Sequence, residues 1–187
     1  MKPIKLPLFI LLALALGLAA CSSKPQISGS SGALKISFPF GRNADYNDVL
    51  VKRVVDGDTL VLDNGERVRL IGVDTPEIHE SRKLHKDSKR LKMDTVDIQK
   101  LGRRSYNFTR KLVEGKRVRL EFDVERTDKY ERLLAYVYLQ DGTFVNAEIL
   151  KQGYASLMTI PPNVKYADSF VKLFREARED KRGLWSE

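Results

Sequence analysis

The hydrophobic positions of the chain fall into short runs of β-branched and aliphatic residues from about residue 49 onward. Such runs, bounded by turn residues, are typical of β-strands. Asn64 and Gly65 stand between the second and third runs and predict a tight hairpin, because both residues readily take positive φ angles. The predicted strands are residues 49–55, 60–62, 68–73, 117–122 and 133–139.

Apolar residues at helical spacing predict three helices among these strands. The first has Asp97 as its N-cap and ends at Gly115. The second and third cover about residues 145–152 and 165–181. Residues 78–94 hold six basic residues against three acidic ones, and this high charge predicts an exposed loop. A helix between the third and fourth of five strands predicts an α+β fold, a five-stranded OB-fold β-barrel with about three packed helices.

At the N-terminus, two lysines precede an apolar stretch, residues 6–20, that is followed by Cys21. This stretch is shorter than the roughly 20 residues that a helix needs to cross a bilayer. Residues 1–20 are therefore predicted to be a bacterial lipoprotein signal peptide, with a lipid on Cys21 that holds the chain to a membrane. The alternative is a free cysteine at the end of an uncleaved helix. Residues 21–45, rich in Ser and Gly, predict a flexible tether, and residues 46–187 predict one globular domain.

The chain is basic, with a formal net charge of +8, or +6 without the two lysines of the predicted signal peptide. An excess of Lys and Arg suits a polyanionic partner, most simply nucleic acid. The same charge also serves solubility or contact with anionic lipid, so charge alone leaves the partner open. The single cysteine excludes an intramolecular disulfide.

Acidic residues cluster at two predicted turns, residues 56–59 and 74–77. Carboxylates this dense favour a hard divalent cation such as calcium or magnesium, which takes oxygen ligands. An EF-hand loop is excluded, because Val61 stands at the position that needs Gly and Arg67 at the position that needs Glu. The remaining alternative is that Asp and Gly here only form turns.

Three stretches of sequence resemble, in order, the signature stretches of the staphylococcal (micrococcal) nuclease family. They are Val55-Asp56-Gly57-Asp58-Thr59, Arg69-Leu70-Ile71-Gly72-Val73-Asp74-Thr75-Pro76-Glu77 and Asp128-Lys129-Tyr130-Glu131-Arg132. The similarity covers about residue 49 to the C-terminus. The family implies the same OB-fold barrel and a calcium-dependent nuclease activity.

The resemblance also implies a role for each matching residue. Asp58 and Asp74 would bind Ca²⁺ through their carboxylates, and Thr75 through its backbone carbonyl. Glu77 would act on the attacking water, with Arg69 and Arg132 on the substrate phosphate. The family positions that bind nucleotide phosphate are matched by Lys129 and Tyr130.

Two positions depart from the family pattern. Glu131 stands where the family usually has Gly, immediately before Arg132, and it can restrict the turn or bring a carboxylate near the phosphate. Residues 158–162 lack the two tyrosines that the prototype places near the nucleotide base, which predicts weaker base stacking.

The resemblance and the lipid predicted on Cys21 together predict an extracytoplasmic endonuclease. It would be a monomer anchored to a bacterial membrane, in the periplasm or at the cell surface. It would cut DNA or RNA with one Ca²⁺, leave 3′-phosphorylated products and show little sequence preference. The alternatives are a nucleic-acid-binding barrel without turnover and an envelope lipoprotein that binds no nucleic acid. Acidic residues beside the arginines favour the enzyme, because a binding module has little use for carboxylates next to phosphate.

Overall fold

Five strands close into a barrel in the part of the chain that the computed structural model describes, residues 45–186. Around the barrel their order is β1-β2-β3-β6-β5, with β3 and β6 parallel and the other neighbours antiparallel. This arrangement confirms the predicted α+β fold with a five-stranded OB-type barrel. The strands are β1 (Val49–Asp56), β2 (Thr59–Leu62), β3 (Arg67–Leu70), β4 (Gly72–Asp74), β5 (Arg117–Glu121), β6 (Leu133–Leu139) and β7 (Ser156–Met158).

Helices pack on the outside of this barrel and complete its hydrophobic core. Apolar side chains from the strands meet Val113, Ile149 and Phe170 from three of the helices, all of them buried. Asn146 is also fully buried, and its side-chain amide donates to the carbonyl of Ile71 at 2.9 Å, which ties its helix to the barrel. The helices are α1 (Arg82–Leu91), α2 (Thr95–Val113), α3 (Val145–Lys151) and α4 (Ala167–Glu179), followed by a short 3₁₀ helix at Gly183–Trp185.

The predicted third strand, residues 68–73, is wrong as a single strand, because the chain turns at Gly72. Gly72 has a φ of +81°, and a Cβ there would lie 2.4 Å from the ring of Phe170, so only glycine fits. The strand ends as β3 and resumes as β4, which pairs with the unpredicted strand β7 in a separate two-stranded sheet. One sequence run therefore contributes to two sheets.

The predicted exposed loop at residues 78–94 is also wrong, because most of it is the helix α1. Ser81 caps this helix by accepting a hydrogen bond from the Leu84 amide at 3.0 Å, and the Leu84 side chain is fully buried. At the other end Lys92 takes the left-handed conformation of a C-cap. Residues 45–186 thus contain four α-helices rather than about three. The many charges hid the helix because most of them lie on its exposed side, and Leu84 is the only apolar residue of this helix that is buried.

Two smaller predictions also need correction. The helix α2 begins at Thr95 with Asp94 at its N-cap, while Asp97 lies inside its first turn and pairs with Lys100 at 2.8 Å. In the hairpin between β2 and β3, only Gly65 has a positive φ, +89°, so the turn does not need one from Asn64. Both corrections move a boundary or a turn type and leave the predicted elements in place.

The predicted signal peptide, the lipid on Cys21 and the tether as far as residue 44 lie outside the described residues. Between residues 45 and 186, no helix is both long enough and apolar enough to cross a membrane. The boundary of the globular domain at residue 46 stays a prediction.

Candidate active site

The two acidic turns meet at one end of the barrel, where a hydrogen-bond network around Asp58 joins them. The Asp58 carboxylate is buried and accepts from the Thr75 backbone amide and the Thr75 hydroxyl, both at 2.9 Å. Its second oxygen accepts from the Thr59 hydroxyl at 2.9 Å. Residues that are 17 positions apart in the chain therefore hold each other in place.

Helix α2 supports both turns from behind. The hydroxyl of Thr109, fully buried, donates to the Gly57 carbonyl at 2.6 Å. At Gly102 a Cβ would lie 2.7 Å from the carbonyl oxygens of Pro76 and Glu77, so the helix packs directly on the backbone of the second turn. The absence of a side chain at this glycine sets how closely the helix and the Glu77 segment approach.

Arg69 extends from β3 between the two turns. Its guanidinium forms an ion pair with Asp58 and a longer one, 3.3 Å, with Asp74. Burial alone would raise the pKa of Asp58, but Arg69 and the Thr75 amide outweigh it and hold that pKa below its ordinary value. Asp58 is therefore a carboxylate at neutral pH, fully engaged by protein donors.

Lys83, in the first turn of α1, brings a second positive charge to the acidic turns. Its ammonium donates to the Asp74 carboxylate at 2.9 Å, to the Thr75 carbonyl at 3.0 Å and to the Glu77 carboxylate at 3.0 Å. Burial alone would lower the pKa of Lys83, but Asp74 and Glu77 outweigh it and raise that pKa. The sequence interpretation assigned Lys83 no individual role. The N-cap Ser81, four residues after Glu77, is the signal that places this lysine beside the turn.

Asp56 is a further acidic residue that the sequence interpretation left without a role. Burial, together with the nearby charges of Asp58 and Glu77, raises its pKa to about 7. The position of Asp56 inside the first signature stretch was the sequence signal that could have identified it as a site residue. Asp56 therefore takes up a proton at neutral pH more readily than Asp58 does.

The oxygen atoms of the second turn have the chemistry and the convergence to hold a cation. Carboxylates of Asp74 and Glu77 and the carbonyl of Thr75 surround one ammonium nitrogen within 3.0 Å, and such oxygens are also the ligands of calcium. The Asp58 carboxylate adjoins these oxygens through its hydrogen bonds with Thr75, and its role as a direct calcium ligand stays a prediction. Within residues 45–186, no three His, Cys, Asp or Glu side chains group as a metal centre.

The third signature stretch forms a compact turn that Asp128 organises. One oxygen of this carboxylate accepts from the amides of Tyr130 and Arg132 at 2.9 and 3.1 Å, and the other accepts from the Arg132 side chain at 2.7 and 2.8 Å. Burial alone would raise the pKa of Asp128, but these hydrogen bonds from Arg132 and Tyr130 lower it. Glu131 has a φ of +60°, a conformation that glycine adopts more easily than other residues, which explains why the family usually has Gly at this position. The turn forms here with Glu131 in its place.

The arginines of both regions line one cleft with a volume of about 540 Å³. Arg69 stands on one wall, and Lys129, Tyr130 and Arg132 stand on the turn that borders it. The cleft is also lined by apolar side chains such as Met158 and Ile160, in the stretch that lacks tyrosines. The structure therefore brings all four predicted phosphate-binding residues to the same cleft. Tyr130, with 65% of its surface exposed, is its most accessible aromatic ring.

Comparison with known proteins identifies the family. The family model described as staphylococcal nuclease homologue matches residues 67–187. The thermonuclease of Staphylococcus intermedius is 40% identical over 163 residues, covering 86% of this chain and 87% of that protein. The thermonuclease of Staphylococcus hyicus is 34% identical over 147 residues (77% and 79%), and endonuclease YncB of Bacillus subtilis is 34% identical over 203 (95% and 89%). The chain therefore belongs to the staphylococcal nuclease family and is a nuclease.

Proposed function

We propose that this nuclease is a calcium-dependent endonuclease that hydrolyses phosphodiester bonds of DNA or RNA with little sequence preference. One observation carries the proposal: the oxygens of Asp74, Thr75 and Glu77 converge on a single cation position beside Arg69, which lines the cleft. A pure binding module needs the arginines but not the carboxylates. The combination favours phosphodiester hydrolysis.

In this proposal the cation site is built from both acidic turns. The carboxylates of Asp58 and Asp74 and the Thr75 carbonyl would hold the Ca²⁺, and the Asp58 carboxylate also fixes the Thr75 backbone. When bound, the ion neutralises charge on a phosphodiester oxygen. Glu77 acts on the attacking water as a general base or as an orienting group.

The two arginines bind the phosphate under attack. A guanidinium stays charged at every physiological pH and donates two parallel hydrogen bonds to phosphate oxygens. Arg69 is buried between carboxylates and is thus pre-oriented, while Arg132 is held at the cleft by Asp128. Their attraction for the phosphate grows as negative charge develops on it.

Lys129 and Tyr130 bind the neighbouring nucleotide. The ammonium of Lys129 lies 5.1 Å from the ring centre of Tyr130, so charge and an exposed aromatic face are presented together at the cleft. Phosphate contacts carry no sequence information, and a ring stacks on any base. This composition of the cleft supports cleavage with little base preference.

The location of the enzyme is a separate part of the proposal and rests on the N-terminal sequence alone. Lipid on Cys21 anchors the chain outside the cytoplasm of a bacterial cell, as a monomer. Mass spectrometry of the chain extracted from membranes tests this point. A diacylglycerol mass on Cys21, and release of a Cys21→Ser variant from the membrane, are the expected results; an unmodified cysteine on an uncleaved N-terminus contradicts the anchor.

The activity is tested with the full chain in mild detergent, incubated with single-stranded DNA, double-stranded DNA or RNA. Each substrate is offered with Ca²⁺, with Mg²⁺ or with chelator. Cleavage is expected with Ca²⁺, with 3′-phosphate ends. Glu77→Gln is expected to lose on the order of 10²–10⁴-fold in rate while still binding nucleic acid.

The matched control is Glu80→Gln, the same change three residues later on an exposed side chain, which should retain the activity. Binding of nucleic acid without cleavage under every ion would replace the enzyme with a binding module. Cleavage that survives Glu77→Gln would remove this carboxylate from the mechanism.

A further inference from the structure

The ammonium of Lys83 lies where the oxygens of the acidic turn converge. It contacts the Asp74 carboxylate, the Thr75 carbonyl and the Glu77 carboxylate at 2.9–3.0 Å. Two of these groups are calcium ligands of the proposed function, and the third is its general base. A single lysine therefore engages the metal-binding and water-activating groups at the same time.

We infer that Lys83 is a built-in competitor of the divalent cation, which must leave these three oxygens before the metal binds. The inference rests on the proposed function, since it concerns the same site. It assigns Lys83 the role of a positioning residue that sets the calcium concentration at which the site fills.

Mutual exclusion follows from distance and charge. Calcium binds oxygen at about 2.3–2.6 Å, so an ion on the side of Asp74 and Thr75 that faces Glu77 would take the place of the ammonium, which lies within 3.0 Å of the same atoms. Two positive charges at such a separation also repel strongly where water is scarce. The site holds either the lysine or the metal.

Helix α1 allows the lysine to leave without unfolding its surroundings. Its first turn is fixed by the Ser81 cap and by the buried side chain of Leu84, so the backbone of Lys83 stays in place. The Lys83 side chain is 36% exposed, and its flexible stem can turn toward solvent. Only side-chain rotation separates the two states.

The lysine has a second effect while it is engaged. Asp56, Asp58, Asp74 and Glu77 lie close together, and their mutual repulsion is reduced by the Lys83 charge beside that of Arg69. The Lys83 ammonium also contacts a Glu77 carboxylate oxygen, which in the proposed reaction must bind the attacking water. Lys83 therefore stabilises the metal-free site and keeps its base occupied until the cation arrives.

The test measures calcium binding rather than turnover. Calcium is titrated by calorimetry into the chelator-stripped full chain, into Lys83→Met and into the matched control Lys86→Met, which removes the same charge from an exposed position of the same helix. Lys83→Met is expected to bind calcium at least about tenfold more tightly, because it loses a set of charge-assisted hydrogen bonds that the metal must otherwise break. Lys86→Met should stay within about twofold of the unchanged chain.

Thermal unfolding provides a second readout that is independent of activity. In chelator, Lys83→Met should melt below both the unchanged chain and Lys86→Met, and saturating calcium should close this gap. A lysine that only supports the fold would lower the melting temperature equally with and without calcium. That result, or calcium binding no tighter in Lys83→Met than in Lys86→Met, overturns the inference.

Failure of the proposed function has a different signature. The proposed function fails if the unchanged chain does not bind calcium and does not cleave nucleic acid when calcium is present. In that case, tight calcium binding by Lys83→Met alone still supports competition at this site, and no binding by either protein overturns it.

Discussion

The acidic cluster (Asp56, Asp58, Asp74 and Glu77) contacts Arg69, and the arginine turn (residues 127–132) lines a cleft with Arg69, but the two regions are held in place in opposite ways. The acidic cluster depends on contacts between distant parts of the chain, such as Asp58 with Thr75 and Thr109 with Gly57. The arginine turn depends on one carboxylate, Asp128, that accepts hydrogen bonds from the amide and the side chain of Arg132, four residues later. Substitutions in the acidic cluster should therefore alter stability and activity together. Substitutions in the arginine turn should affect that turn alone.

The charges of the two regions differ as well. Within the acidic cluster, burial and the charges of Asp58 and Glu77 raise the pKa of Asp56 to about 7, whereas Arg69 and the Thr75 amide outweigh burial at Asp58 and lower its pKa. In the arginine turn the pKa of Asp128 is lowered by its local hydrogen bonds. The acidic cluster thus contains a destabilising carboxylate, and the arginine turn has none among the groups whose pKa is shifted.

The largest effect is expected from pH acting on the acidic cluster in the presence of chelator. Because the pKa of Asp56 rises from 3.8 in the unfolded chain to about 7 in the folded one, its contribution to stability is fully present below pH 3.8 and is lost as the pH rises through about 7. The loss is at most about 4 kcal/mol at pH 7. Asp56→Asn should remove this pH-dependent loss. The free energy of unfolding of the variant, measured in urea, should therefore rise relative to that of the unchanged chain between pH 4 and pH 7. Parallel pH profiles would contradict this prediction.

The packing of α2 on the acidic cluster is tested by Gly102→Ala. The new methyl group meets the backbone carbonyls of Pro76 and Glu77 at 2.7 Å, and backbone cannot move aside as a side chain can. We expect a loss of about 1–3 kcal/mol in the free energy of unfolding together with a large loss of nuclease activity. The control is Asn107→Ala at an exposed position of the same helix. Full activity in Gly102→Ala would show that Glu77 tolerates displacement.

A smaller effect is expected from the hydrogen bond between α2 and the first turn. Thr109→Val keeps the shape of the side chain but leaves the Gly57 carbonyl without its 2.6 Å partner in a buried place. The free energy of unfolding should fall by about 1–3 kcal/mol in denaturant titrations. Thr109→Ser retains the hydroxyl and should lose less; equal losses would assign the effect to packing.

The smallest effect is expected in the arginine turn, from Glu131→Gly. A non-glycine residue at a φ of +60° is strained by about 1–2 kcal/mol, and the greater freedom of glycine in the unfolded chain offsets part of the gain. We therefore expect about 0.5–1 kcal/mol of added stability, measured by thermal unfolding, with an unchanged response to Ca²⁺. A loss of stability would mean that the Glu131 carboxylate makes a contact that outweighs the strain.

The difference between the two regions also explains which parts of the fold and of the site could be predicted from the sequence. Runs of β-branched and aliphatic residues predicted the five barrel strands, the third with its end too late, because the composition of each run is a local property. The signature stretches predicted Arg69 and Arg132 as neighbours, and both line one cleft. The roles assigned to them, to the other arginine-turn residues and to the acidic residues stay predictions.

What the sequence could not show depends on contacts across the fold. The pattern of α1 is dominated by charge, so neither the helix nor the position of Lys83 beside Asp74 was evident. The strand β7 has three residues and exists only because β4 lies beside it. Asp58 could be recognised as a site residue, but its use in holding Thr75 follows from the meeting of two turns.

Gly72, where one run of sequence divides between two sheets, has a consequence for heat inactivation. Arg69 belongs to the closed barrel, but Asp74 belongs to the small sheet of β4 and β7, in which each strand has three residues. So short a pair opens more easily than a closed barrel. Warming will therefore separate Asp74 from Arg69 before the barrel melts, and the temperature of half-inactivation will lie below the calorimetric melting temperature.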